Sequence, residues 1–229
     1  MMNENRVATF ENMTTAIIQR LEAIAVQRDE ALVAGRQIVR LSANSVRATH
    51  RGDPAAAGAL LDQARSRLVP LIDLLSSTPD ILNAGYVQDA MREYSEAYLT
   101  AAIVEDEAIP GPADLGLGDS AYLNGMAEAA SELRRRVLDL LRAGDLDQAE
   151  HLLRAMDEIY AALMLVDFPD AITGGLRRSV DALRAVIERT RGDVTTAVGQ
   201  HRLTIELRRV HTQLESLSQD RSGDQRLGE

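Results

Sequence analysis

From Phe10 to Val46 the apolar residues return in steps of three and four: Phe10, Met13, Ile17, Leu21, Ile24, Ala31, Leu32, Ile38, Val39 and Val46. That spacing draws a single stripe along a helix, so the chain begins with one very long amphipathic helix or two in sequence. The pattern stops at Arg51-Gly52-Asp53-Pro54. There glycine can close a helix, aspartate can cap the next, and proline suits its first turn.

The same grammar governs the rest. Leu60, Leu61, Ala64, Leu68, Leu71, Ile72 and Leu75 mark a second helix, with a kink expected at Pro70. After a break at Ser76-Ser77-Thr78-Pro79-Asp80, a third helix runs through Tyr86–Ala97 to about residue 108. Residues 109–118, rich in glycine and proline, form the only clear loop of length. A fourth helix follows from Asp119 or Ser120 to about Arg142, and Gly144-Asp145 opens a fifth that ends near Val166. Pro169 introduces a sixth, and Arg191-Gly192-Asp193 reads as the start of a last one. Strand signals are almost absent. The expected fold is all-α, a single-domain bundle of about seven helices over 1–215, with a polar, frayed tail at 216–229.

At 229 residues and 45% hydrophobic content the chain can bury a sizeable core. It has no cysteine, which excludes disulfides and thiolate metal sites and suits a reducing cytoplasm. No apolar run approaches the ~20 residues that span a membrane. We therefore expect a soluble, cytoplasmic protein with no membrane partner. The formal net charge of −10 argues against a broad phosphate-binding outer surface, but leaves open an enclosed one. All 25 basic residues are arginine, a side chain suited to bidentate phosphate contacts and equally a product of coding bias.

Two acidic pairs carry the chemistry. Glu93 and Glu96 are i and i+3 on the third helix; Glu128 and Glu132 are i and i+4 on the fourth, among the small residues Ala127, Ala129 and Ala130. If these helices pack together, four carboxylates converge. An oxygen-only site of this kind suits Mg²⁺ or Mn²⁺ rather than zinc. Periodicity alone favours the plainer reading, in which the glutamates are solvated or pair with Arg92, Arg134 and Arg135. The Arg-Gly-Asp strings are helix junctions rather than adhesion motifs. His151, His201 and His211 share no ligand spacing, and His50 reads as a helix-terminal residue against the dipole.

The surroundings of the glutamates resemble the translin family. The likeness rests on Glu93-Tyr94-x-Glu96-Ala97, on Tyr122-Leu123-x-Gly125 followed by Ser131-Glu132-Leu133, and on Gly144-Asp145. Weaker echoes at Thr49-His50-Arg51 and from Ile159-Tyr160 to Phe168 extend it over roughly residues 28–200. Glu93 and Glu96 match the catalytic glutamates of the nuclease branch, translin-associated factor X. Glu128 stands where that branch has aspartate, and Glu132 matches a glutamate shared by both branches. The resemblance implies a translin-like fold and a Mg²⁺-dependent endoribonuclease acting on single-stranded RNA within a closed homo-octamer. Glu93, Glu96 and Glu128 would then be catalytic metal ligands and Glu132 a fourth ligand. Arg47, Arg51, Arg92, Arg134 and Arg135 are the candidates for RNA contact. The alternatives are a non-catalytic oligomer binding single-stranded RNA or DNA, and a purely structural assembly.

Overall fold

The computed structural model describes residues 2–224, with side chains from 6 to 215. Among them the chain forms nine helices: α1 (Met2–His50), α2 (Pro54–Leu75), α3 (Pro79–Leu82), α4 (Gly85–Val104), α5 (Pro112–Leu115), α6 (Asp119–Ala143), α7 (Leu146–Leu163), α8 (Asp170–Thr173) and α9 (Leu176–Asp224). Three are single turns in connections, so the expected count of about seven differs mainly by these. The tail set apart at 216–229 is helical in backbone as far as Asp224; residues 225–229 lie outside the described part.

The junctions work as their residues dictate. Asp53 accepts the amide hydrogen of Ala56 at 3.0 Å and Asp145 that of Gln148 at 3.2 Å, each capping the next helix. Gly52 and Gly144 sit at φ 71° and 83°, the left-handed region that ends the preceding helix. The third string, Arg191-Gly192-Asp193, does otherwise. α9 runs straight through it because its polar residues are claimed from outside: Arg134 of α6 donates to Thr190 Oγ1 at 3.0 Å and to Asp193 Oδ2 at 2.8 Å. Asp193 is a tertiary partner, not a cap. Pro70 likewise lies within α2, which continues to Leu75.

Two apolar clusters meet across α6. One joins α1, α2 and α4 around Ile38, Leu68, Leu75, Val87, Tyr94 and Leu99. The other joins α6, α7 and α9 around Leu133, Val137, Met156, Leu163, Leu183 and Ile187. Each fully buried leucine contributes roughly 1.5–3 kcal/mol. The long stripe of α1 serves the core only from Ala31 onward; Phe10, Met13 and Leu21 are 65%, 58% and 57% exposed. Periodicity located the helix, but not which part of its apolar stripe the core covers. No helix among the described residues is long and apolar enough to cross a membrane.

The helices α4 and α6 approach closely at Gly125. A Cβ on Gly125 would fall 2.5 Å from Ser95 Cβ and 2.7 Å from the Arg92 carbonyl oxygen. Glycine is therefore required there, and Ser95 Oγ donates to the Tyr122 carbonyl oxygen beside it at 3.3 Å. Gly125→Ala is expected to cost about 1–3 kcal/mol in urea unfolding. Gly192→Ala, with nothing within 4 Å of its Cβ, is expected to gain about 0.5–1 kcal/mol. A loss at Gly192 would restore it as a helix stop.

Candidate functional site

The close contact at Gly125 brings the two acidic pairs together. Glu93 and Glu96 rise from α4, Glu128 and Glu132 from α6, and all four are partly buried. Their charges feel one another. Burial, followed by Glu128, Glu93 and Glu132, pushes the Glu96 carboxyl up to about 8, against the opposing pull of Arg92. Glu93 is raised as well, chiefly by burial, with Arg92 offsetting part of the effect. Glu96 has no hydrogen bond or ion pair among the described residues.

Two cationic or polar partners hold the other carboxylates. The Arg92 guanidinium bonds Glu128 Oε1 through Nη1, while Nη2 lies 3.3 Å from Asp89 Oδ1 and 3.7 Å from Glu93 Oε1. Burial works against the Arg92 charge, but Glu128, Asp89 and Glu93 outweigh it and hold the group above its usual range. On the far side, His50 Nε2 stands 2.5 Å from Glu132 Oε1. The His50 side chain is 3% exposed, and its Nδ1 is buried without a partner. His50 is thus no simple terminal residue against a helix dipole. It ties the end of α1 to α6 across 82 positions of sequence.

The five candidate arginines separate. Arg92 is at the carboxylates; Arg134 is spent on Thr190 and Asp193. Arg47 donates to Asn44 at 2.7 Å, and Arg51 and Arg135 are exposed without an ion pair among the described residues. Sequence reading named Arg92 among the partners of the glutamates, which its pairs with Glu128 and Glu93 bear out, and missed the His50–Glu132 contact. Arg92 was legible as a neighbour of Glu93, but nothing local shows that it reaches α6. A cavity of about 780 Å³ between the end of α7 and the start of α9, lined by Phe168, Arg177 and Asp181, is separate from these groups.

Comparison with known proteins places the fold. No protein-family model matches the chain. An uncharacterised protein of Methanocaldococcus jannaschii is 29% identical over 190 residues, 80% of this chain and 82% of that one. The crystal structure of AfC3PO superposes with a TM-score of 0.75 at 33% identity, covering 81% of this chain and 96% of that one. The chain belongs to the C3PO/translin family. AfC3PO in its complex with duplex RNA gives a TM-score of 0.66 at 32% identity over 81% and 96% of the two chains. Apo-NeC3PO, at 18% identity and a TM-score of 0.73, covers 80% and 95% and shares the translin fold.

Within that fold, the translin-like motifs divide their labour. Tyr94 is fully buried, Gly125 sets the helix spacing, and Tyr122 donates its hydroxyl to the Pro110 carbonyl at 2.8 Å, anchoring the connection before α6. The glutamates face the site. The four carboxylates match a hard divalent cation in chemistry. As the side chains stand, no three acidic or histidine groups among the described residues are disposed to hold an ion, since Glu128 is drawn to Arg92 and Glu132 to His50.

Because the folded protein raises Glu96, the stability this group contributes is full below the unfolded value near 4.5 and is lost as pH rises through about 8. Metal-free Glu96→Gln is therefore expected to match wild type near pH 4 and to exceed it at pH 8–9. A gain of at least about 1 kcal/mol is expected, given ~1.4 kcal/mol per pKa unit, read from urea unfolding in EDTA.

Proposed function

We propose that this protein is a metal-dependent endoribonuclease of the translin family, acting on RNA at the α4–α6 carboxylates. The observation that carries this reading is Glu96: a largely buried carboxyl facing Glu93, Glu128 and Glu132 with no partner of its own among the described residues. Such a group is costly unless a cation joins it. Glu93, Glu96 and Glu128 would hold Mg²⁺ or Mn²⁺, with Glu132 as a fourth oxygen donor steadied by His50. When bound, the ion supplies an activated water and offsets charge on the attacked phosphate. One of these glutamates would take the proton of that water.

The complex of AfC3PO with duplex RNA supports RNA as the ligand class. The translin resemblance implies cleavage of single strands, so both forms belong in the test. An acidic chain of net charge −10 acts on an anion most readily from an enclosed face, which supports a closed homo-oligomer, an octamer by family likeness, working in the cytoplasm. The exposed apolar stripe of α1 supports contact between copies.

A second reading has its own observation. Arg92 on Glu128 and His50 on Glu132 leave no ready set of three ligands, as a non-catalytic RNA- or DNA-binding oligomer would permit. Cleavage of a labelled single-stranded RNA in Mg²⁺ or Mn²⁺, with EDTA as control, separates the two. Glu93→Gln and Glu96→Gln are each expected to lower the rate about 100-fold or more while the fold is kept. Binding without cleavage at any metal concentration would leave the non-catalytic reading, and full cleavage by both variants would sink the site assignment.

A further inference from the structure

Arg92 is in an unusual position for a residue beside a metal site. It precedes Glu93 in sequence, yet its guanidinium crosses to α6 and bonds Glu128, with Asp89 and Glu93 also near. Every polar contact it makes among the described residues is to a carboxylate. No backbone carbonyl or neutral side chain fixes it, and the side chain is 27% exposed. Glu128 in turn has no other partner among the described residues. Among the described residues one arginine therefore stands among several carboxylates, and it takes Glu128, one of the two on α6 through which a metal ion would join the helices.

We propose that Arg92 is the resident counter-cation of the acidic site: it gives up Glu128 when a divalent cation binds, and the freed guanidinium then takes a phosphate of the bound RNA. This deepens the nuclease reading and rests on it. The charge balance favours the exchange. A dication replaces a single positive charge among four or more carboxylates, which lowers their mutual repulsion further than Arg92 does alone. The guanidinium fork is built for two oxygens at once, and phosphate offers the same geometry that the carboxylate gave up. The movement is a rotation of a long side chain at the mouth of the site, with no helix displaced. The exchange also orders events, since Arg92 is available to RNA only after the metal is in place.

The rival explanation is a fixed salt bridge that merely fastens α4 to α6. The two differ in what Arg92→Gln does. Titration of the metal-free protein with Mn²⁺, read by electron paramagnetic resonance, is expected to show binding roughly fivefold tighter in Arg92→Gln than in wild type, the scale of a partly exposed ion pair. Equal or weaker binding would overturn the counter-cation role. Affinity for a fluorescent single-stranded RNA is then measured in EDTA and in Ca²⁺. Wild type and Arg92→Gln are expected to agree in EDTA. In Ca²⁺ the variant is expected to bind several-fold more weakly, with a salt slope smaller by about 0.7. A difference of the same size with and without Ca²⁺ would overturn the hand-over.

Should Arg92→Gln fail to fold, Glu128→Gln frees the guanidinium from the other side. It is expected to raise metal-free RNA affinity above that of Glu132→Gln, which removes the same charge without touching Arg92; equal effects would overturn the proposal. Glu96→Gln keeps the two levels apart. If it binds Mn²⁺ as wild type does, the metal-site reading fails. If it loses Mn²⁺ while Arg92→Gln binds no tighter, only the inference about Arg92 fails.

Discussion

The molecule depends on one contact, the meeting of α4 and α6 at Gly125. No side chain of α6 stands between the helices there: the Ser95 side chain and the Arg92 carbonyl of α4 occupy the space a Cβ would need. The apolar cluster of α1, α2 and α4 and that of α6, α7 and α9 are joined through this pair. The same contact fixes which polar groups must share a small volume. Four glutamates are brought together because two helices are, and their repulsion is a cost the core sustains.

That cost is distributed unequally. Arg92 relieves Glu128 and part of Glu93, His50 answers Glu132, and Glu96 is left to protonation. A core built only for stability would fill such a place with apolar side chains, which pack as well without the desolvation penalty. An unrelieved buried carboxyl at a helix–helix contact is therefore a functional signal, and it agrees with the chain's place in the translin family.

Much of this was legible in the sequence. The steps of three and four from Phe10 onward, Gly52-Asp53 and Gly144-Asp145 defined helices and junctions whose caps appear as their residues require. The failures have a common physical cause: each depended on a partner distant in sequence. Gly192-Asp193 looked like the earlier junctions, but Arg134 reaches over from α6 and removes Asp193 from capping. His50 is terminal as read, the last residue of α1, but its partner Glu132 lies 82 positions away. The apolar face of α1 before Ala31 is helical by spacing, yet spacing does not say whether anything covers it. The pairs Glu93–Glu96 and Glu128–Glu132 could be drawn on their own helices from spacing; that they meet follows only from packing.

The approach at Gly125 also turns the site into a ruler graduated in methylenes. With backbone and Cβ atoms already in contact, the helices cannot move closer to suit a shorter side chain. An aspartate at position 128 would draw its carboxylate back by about 1.5 Å, one carbon–carbon bond, and the scaffold would return none of it. Side-chain length, rather than helix position, is thus the variable that sets the reach of the acidic groups above this floor.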